Sequence, residues 1–224
     1  KRTFKNTSPI VLGGIEASLR RITHYDYWND KLRAPILFDS KADFLLYGMA
    51  ETGVVELAKA LREHESPLDI RGLCYLAKTP PQGYEILPSF EEVTGNSDAF
   101  IRMYQRFYQN NDPITAKGLA QQKGDRWLVQ NPPALTLDQD QLDDIYNLDF
   151  EREQHPYYEE QGPVKALETI RFSIPTHRGC YGECNFCAIA VHEGRTVTSR
   201  SEDSILNEAE TMIRHKKFKG IIQD

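Results

Sequence analysis

The sequence predicts an α/β protein that begins with an open parallel sheet of the Rossmann type. Two observations predict this class. Short apolar runs alternate with segments of helical spacing over residues 1–83, as they do when helices connect parallel strands. The pair Gly13-Gly14 follows the first apolar run, where a tight turn from strand to helix is expected. We therefore expect a sheet with helices packed on its faces.

The positions of the apolar residues define the elements of this first part. Strands are predicted at 9–12, 36–38, 43–47 and 70–77, and helices at 16–27 and 51–63. The second helix should bury an apolar face formed by Val54, Val55, Leu57, Ala58 and Leu61. The side chains expected in the core of the sheet are Ile10, Val11, Leu12, Ile36, Leu37, Leu45 and Leu46.

Turn signals divide the chain into three segments. Pro80-Pro81-Gln82-Gly83 ends the alternating region, so we predict a first domain over 1–83, an intervening region over 84–165 and a third segment over 166–224. The intervening region should contain a helix at 98–108 with an aromatic face that we interpret as core, a strand at 126–130 and a helix at 140–146. The third should contain a strand at 169–174, a loop, a helix capped by Ser201 and a strand at 221–222.

Charge and hydropathy exclude several classes of partner. The net charge is −6 and the pI about 5.6, which argues against nucleic-acid binding by bulk charge. Nine of the carboxylates and one basic residue, Arg152, lie within 138–160, a pattern typical of a solvated face. No apolar run approaches the ~18 residues of a membrane helix, and Lys1-Arg2-Thr3 does not open a signal peptide. We expect a cytoplasmic protein with no membrane partner.

Three of the four cysteines lie close together in the sequence. Cys180, Cys184 and Cys187 have the spacing Cys-x3-Cys-x2-Cys, which indicates a metal or cluster site in a reducing compartment. Iron–sulfur clusters are commonly held by four thiolates, so three local ligands leave one iron open for chemistry. Glycines at 179 and 182 let the backbone turn close to the sulfurs. Cys74 stands alone in an apolar run and is interpreted as a buried strand residue.

The cysteine motif resembles that of the radical S-adenosylmethionine (radical SAM) proteins, Cys-x3-Cys-x-aromatic-Cys, with Phe186 in the aromatic position. The strand, capped helix and second strand predicted around it resemble the first βα unit of the family's partial TIM barrel. Within the family the chain is similar to the YgiQ-like subfamily through most of its length. The runs that carry this likeness are 12–21, 155–158, 172–180, 187–189, 192–195 and 199–201.

Several properties follow from the resemblance. The cofactors would be a [4Fe-4S] cluster on Cys180, Cys184 and Cys187 and S-adenosylmethionine on the open iron. Phe186 would lie near the adenine, and Arg200 is a candidate to pair with a carboxylate of the cofactor. An electron from an external donor such as a flavodoxin or ferredoxin would cleave the cofactor to a 5′-deoxyadenosyl radical, which takes hydrogen from a substrate. The substrate and the catalytic residues stay unknown.

The resemblance also implies what the chain lacks. The first segment is similar to the sheet half of cobalamin-binding domains, with Tyr47-Gly48-Met49-Ala50-Glu51 where relatives often carry Gly-Glu-Gly-Glu. The His-containing loop of such domains is absent, so cobalamin binding by this chain is not expected. The glycine-rich strand end that should follow Asp224 is also absent. We therefore expect a fragment of a longer enzyme, inactive by itself, whose loop at 177–200 is exposed.

Two other functions remain open for the cysteines. One is a structural zinc site of Cys3His type, completed by His177 or His192. The other is a non-catalytic iron–sulfur module, which would need a fourth thiolate, and Cys74 is the remaining cysteine. An anaerobically reconstituted cluster absorbs visible light and zinc does not, so colour separates these alternatives.

Overall fold

The computed structural model describes residues 7–182 and 184–222. Contacts divide the chain into two compact units. The first comprises Lys1–Thr136 together with Cys180–Arg195, and the second comprises Leu137–Gly179 together with Thr196–Asp224. The cysteine loop therefore groups with the sheet at the start of the chain. The domain boundaries predicted at residues 83 and 165 stay a prediction.

Short strands and helices alternate along the described chain. In chain order they are β1 Val11–Leu12, α1 Gly14–Leu19, β2 His24–Asp26, β3 Lys31–Arg33, α2 Ile36–Ser40, β4 Phe44–Leu46, α3 Glu51–Glu63, β5 Leu73–Ala77, β6 Glu85–Leu87, α4 Phe90–Gly95, α5 Ser97–Gln109, β7 Leu119–Lys123, β8 Arg126–Gln130, α6 Gln139–Tyr146, a 3-10 helix Pro156–Gln161, α7 Leu167–Ile170, β9 His177–Arg178, α8 Ile189–Glu193, β10 Thr198–Ser199 and α9 Glu202–Ile213.

A six-stranded sheet forms the centre of the first unit, in the order β1-β4-β5-β8-β7-β6. The pairs β1–β4 and β6–β7 are parallel, and the three pairs between β4, β5, β8 and β7 are antiparallel. The α/β class is therefore confirmed, and the sheet is mixed. β2 and β3 form a separate antiparallel hairpin.

Both faces of the six-stranded sheet carry buried side chains. Successive residues of a strand point to opposite sides, so a single strand such as β4 contributes to two clusters. Leu45 and Cys74 point into a large cluster that also holds Met103 and Phe107 of α5. Their neighbours on the other face pack with Leu57 of α3 in a smaller cluster. Burial of such side chains is the main source of stability, at roughly 1.5–3 kcal/mol each.

Several predicted elements are confirmed. The helix predicted at 51–63 has these bounds, although Val54 and Val55 are exposed and Gly53 and Leu57 face the core. The strands at 43–47, 70–77 and 126–130 form as β4, β5 and β8. The helices at 98–108 and 140–146 form as α5 and α6. Ser201 caps α9, its side chain accepting a hydrogen bond from the Ser204 backbone N–H.

Other predicted elements are wrong in the first unit. Residues 36–38 form helix α2 instead of a strand, because a short apolar run fits either element by periodicity. The helix predicted at 16–27 ends at Leu19, and the chain turns into the hairpin of β2 and β3. The strand predicted at 9–12 forms only as the two-residue strand β1, which within residues 7–182 and 184–222 pairs with β4 alone. Val11 and the preceding Ile10 are exposed and not in the core.

The second unit differs from the predicted βα unit. Residues 169–174 do not form a strand: α7 ends at Ile170, and Phe172 packs edge-on against His215 and Phe218. Ile221 and Ile222 are exposed and outside any strand, so the predicted parallel pair between these segments is absent in the described chain. β9 and β10 pair antiparallel instead.

Throughout residues 7–182 and 184–222, no helix has the length and apolar character needed to cross a membrane.

Candidate functional site

The cysteine loop is closed at its base by a backbone hydrogen bond. The Cys180 N–H donates to the Gly194 carbonyl at 3.0 Å, and the Cys187 N–H donates to the Cys184 carbonyl at 3.0 Å within the loop. Cys184 is exposed, while the other two cysteines are half-buried. All three are free thiols. Glu183 lies outside the described residues. The loop at 177–200 is exposed only in part: Tyr181 and Phe186 are exposed, whereas Gly179, Ala190 and Arg200 are buried.

Gly182 lies between two of the sulfur atoms. A Cβ added there would stand 3.4 Å from Cys180 Sγ and 3.9 Å from Cys184 Sγ, so the missing side chain leaves space that both sulfurs face. Gly179 has a different role. A Cβ at this position would lie 2.0 Å from the Thr196 carbonyl oxygen. Only glycine lets the two backbone segments of the second unit approach this closely.

The donor set fits a soft metal site. Thiolates select iron–sulfur clusters or zinc over hard cations such as magnesium. The three thiols do not converge in this structure: among the described residues, no three His, Cys, Asp or Glu side chains come close enough together to hold a metal ion. The residue types and the space at Gly182 therefore support a cluster, whereas a complete ligand geometry is not formed.

Phe186 is the most exposed aromatic residue of the described loop, at 93%. Its ring is accessible to a planar ligand. The expected contact with adenine stays a prediction. Arg200 lies in the second unit and is buried. Its guanidinium pairs with Glu208, donates to the Pro175 carbonyl at 3.0 Å and stacks 4.2 Å from the centre of the Tyr146 ring. Its carboxylate partner in this structure is thus Glu208.

The histidines beside the motif have polar partners. His192 Nδ1 lies 3.0 Å from Ser18 Oγ within the first unit. His177 Nδ1 lies 3.1 Å from the hydroxyl of its neighbour, Thr176 Oγ1. Arg195 stacks over the Tyr108 ring at 4.3 Å.

Cys74 is fully buried on β5, and this burial raises the pKa of its thiol to about 12, in agreement with its prediction as a buried structural residue.

Sequence reasoning missed one group of residues that contacts the cysteine loop. Arg21, Ser18 and Asn111 are buried in the first unit, and two of them bond directly to α8, the helix that follows Cys187. In the sequence Arg21 falls inside the helix predicted at 16–27 and directly follows a second arginine, so no local signal identifies its partners.

The family model described as Radical SAM N-terminal matches residues 1–173. The chain therefore belongs to this family. The match ends before the cysteine motif, so the motif and the family model are separate observations.

Curated relatives narrow the assignment. A UPF0313 protein of Fusobacterium nucleatum is 54% identical over 225 residues, covering all of this chain and 40% of the relative. A UPF0313 protein of Clostridium botulinum strain 657 is 45% identical over 229 residues, covering all of this chain and 36% of the relative. The chain thus spans about two-fifths of the length of these relatives. The predicted place in the YgiQ-like subfamily of radical SAM proteins is confirmed.

Solved structures of one protein also resemble the chain. Two are of TsrM from Kitasatospora setae, a radical S-adenosylmethionine methyltransferase, one with cobalamin and a [4Fe-4S] cluster and one with tryptophan and an analogue of S-adenosylmethionine. Each covers 91% of this chain at 18% identity, with TM-scores of 0.45 and 0.46, and 27–28% of the TsrM chain is matched. A likeness this distant assigns no ligand to the present chain.

Proposed function

We propose that this chain serves a radical SAM enzyme and that Cys180, Cys184 and Cys187 ligate its [4Fe-4S] cluster. When bound, the cluster supplies the electron that cleaves S-adenosylmethionine to a 5′-deoxyadenosyl radical, which takes hydrogen from a substrate. The observation that carries the proposal is the space at Gly182, which Cys180 Sγ and Cys184 Sγ both face. Family membership supports the same chemistry.

The residues of the loop have distinct tasks under this proposal. The backbone hydrogen bond from Cys180 to Gly194 fixes the start of the loop. Cys184 is exposed, which leaves the site open to iron and to the cofactor. Phe186 offers an exposed ring on which the adenine can stack. Arg200 would have to release Glu208, its present partner, before it contacted a carboxylate of the cofactor.

The partners follow from the chemistry. The substrate is unidentified, and the electron would come from a reduced flavodoxin or ferredoxin. Both the free thiols and the need for a low-potential donor favour the cytoplasm as the compartment.

Anaerobic reconstitution with iron and sulfide tests the proposal. The chain should take up about four irons and gain visible absorption, since a cubane cluster contains four irons. Replacement of Cys180, Cys184 or Cys187 by Ala should abolish both. Cys74→Ala is the matched control and should retain them, because its thiol is buried on β5. Equal iron content in the triple variant would contradict the proposal.

The same samples distinguish the zinc alternative. Metal analysis of protein purified from cells grown with zinc should show no stoichiometric zinc that depends on His192. One tightly bound zinc per chain, lost in both Cys184→Ala and His192→Ala, would favour a structural Cys3His site instead.

A further inference from the structure

Arg21 is a charged residue in the centre of the apolar core. Its side chain is fully buried, and its guanidinium lies between two aromatic rings, 4.2 Å from the centre of Tyr47 and 4.4 Å from that of Phe107. No carboxylate pairs with it anywhere in residues 7–182 and 184–222. Burial lowers the pKa of Arg21, because the charged form loses its water.

The edge of the guanidinium is used for three neutral acceptors. Nε donates to Gln130 Oε1 at 3.0 Å, Nη1 donates to the carbonyl of Ser18, and Nη2 donates to Asn111 Oδ1 at 3.3 Å. A buried ion without a counter-ion is a poor source of stability, and an apolar residue of similar volume often does as well or better. The donors of Arg21 therefore call for an explanation other than core packing.

Asn111 joins Arg21 to the cysteine loop. Arginine has five donors and no acceptor, so Asn111 must turn its oxygen toward Arg21. Its amide nitrogen then faces the other way, and Nδ2 donates to the carbonyl of Ala190 at 3.3 Å. Ala190 is buried in α8, the helix that begins two positions after Cys187. Arg21 thus fixes which end of the amide meets the loop.

Ser18 makes the second connection. Arg21 holds its carbonyl, while its hydroxyl accepts from the Gly48 N–H at 3.2 Å and lies 3.0 Å from His192 Nδ1. His192 also belongs to α8. A Cβ added at Gly48 would stand 3.3 Å from the His192 carbonyl oxygen, so the backbone at this point approaches α8 closely.

We propose that Arg21 is a positioning residue that orients Asn111 and Ser18 to bind α8 and thereby holds Cys187 against the sheet. The proposal rests on the proposed function only where it treats Cys187 as a cluster ligand. Arg21 itself touches neither the cysteines nor any bound group.

Arg21→Met tests the proposal, because Met keeps much of the apolar stem and removes every donor. Hydrogen exchange of the cluster-free chain should be about tenfold faster or more at the Val191 and His192 amides, as expected for the loss of a charge-assisted hydrogen bond. Exchange at the amides of β5 and β7, whose side chains accept no hydrogen bond from Arg21, should stay within about twofold of wild type. After reconstitution, a chelator should remove iron from the variant faster.

Asn111→Asp is the matched variant. The carboxylate accepts from Arg21 at least as well as the amide did, but it places an oxygen against the Ala190 carbonyl. The core should keep its stability while α8 exchanges faster, as in Arg21→Met. This second variant keeps the proposal testable if Arg21→Met fails to fold.

Two results would overturn the proposal. One is unchanged exchange in α8 in the folded variants. The other is exchange that rises equally in α8 and in the sheet, which would make Arg21 a residue of core stability alone. Iron uptake by the wild-type chain is scored separately: absence of iron uptake with the expected exchange pattern would reject the proposed function and leave the positioning role supported.

Discussion

Gly179 and Gly83 share one backbone conformation in different surroundings. Both have φ of +84°, where a residue with a Cβ is strained. At Gly83 nothing lies within 4 Å of an added Cβ, whereas at Gly179 the Thr196 carbonyl oxygen would be 2.0 Å away. Substitutions at these two positions therefore distinguish the cost of the backbone conformation, which both share, from the cost of steric overlap, which arises only at Gly179.

We predict that Gly179→Ala destabilises the protein more than Gly83→Ala. The shared conformation should cost about 1–2 kcal/mol in each variant, and the overlap at position 179 should add about 1–3 kcal/mol. Chemical denaturation monitored by circular dichroism measures both. Equal losses in the two variants would mean that the chain moves aside at Thr196 without cost.

Among the elements, the hairpin of β2 and β3 is held at its turn by the carboxylate of Asp26. Asp26 accepts hydrogen bonds from Arg33 Nε at 2.9 Å, from Asn29 Nδ2 at 2.8 Å and from the Trp28 backbone N–H at 3.1 Å. These bonds, with that of Arg33 first, hold the pKa of Asp26 at about 2, below its usual 3.8. The tip presents Trp28, which is 90% exposed.

This depressed pKa predicts a pH dependence for the hairpin. The stabilisation is complete above pH ~5, where Asp26 is ionised in both states, and is lost progressively as the pH falls through about 2. Fluorescence of Trp28 in a Trp127→Phe background, titrated from pH 5 to pH 1.5, should follow this loss. Asp26→Asn should show the low-pH signal already at pH 7. Identical titrations for both proteins would contradict the assignment to Asp26.

The helix predicted at 51–63 and the strand predicted at 126–130 have the predicted bounds, although Val54 and Val55 of the expected apolar face of α3 are exposed. The strands predicted at 36–38 and 169–174 are wrong, because periodicity over so few residues fits either element and tertiary contacts decide the outcome. The antiparallel pairing of β5 was unpredictable, since its partner β8 lies some fifty positions away.

In the molecule as a whole, the second unit buries a group of ions in addition to apolar side chains such as Leu142 and Met212. The Glu208 carboxylate pairs with both Arg152 and Arg200, and all three side chains are largely buried. Arg200 is further held by Ser204, whose hydroxyl accepts from Nη2 at 2.9 Å. Loss of the carboxylate would leave two buried cations facing each other.

We therefore predict that Glu208→Gln destabilises the second unit by about 3–5 kcal/mol. Glu210→Gln is the control on the same helix: its pair with Arg214 is 3.5 Å long and exposed, so its loss should cost about 0.5 kcal/mol or less. Hydrogen exchange measures both, with the increase confined to α9 and its unit. Faster exchange throughout the six-stranded sheet would show that the two units do not unfold separately.

The proposed cluster ligands can be read from the sequence, whereas the contacts that hold the neighbouring helix α8 cannot. The spacing of Cys180, Cys184 and Cys187 is local, so the sequence alone is enough to propose them as ligands. The contacts that hold α8 join residues far apart in the chain: Arg21 reaches Asn111 across 90 positions, and Asn111 reaches Ala190 across 79. No local pattern encodes such pairings, which appear only once the sheet is assembled.

The bond between Ser18 and His192 has a consequence for folding, because it joins residues 174 positions apart. Closing a long loop carries an entropic cost that local turns avoid, so the hairpins and the strand pairs of the sheet should form earlier than this contact. During synthesis, residues 180–195 also leave the ribosome after the whole of the sheet. The thiols therefore reach a surface that is already built, and residues 180–195 can detach from it without separating any strand pair of the six-stranded sheet.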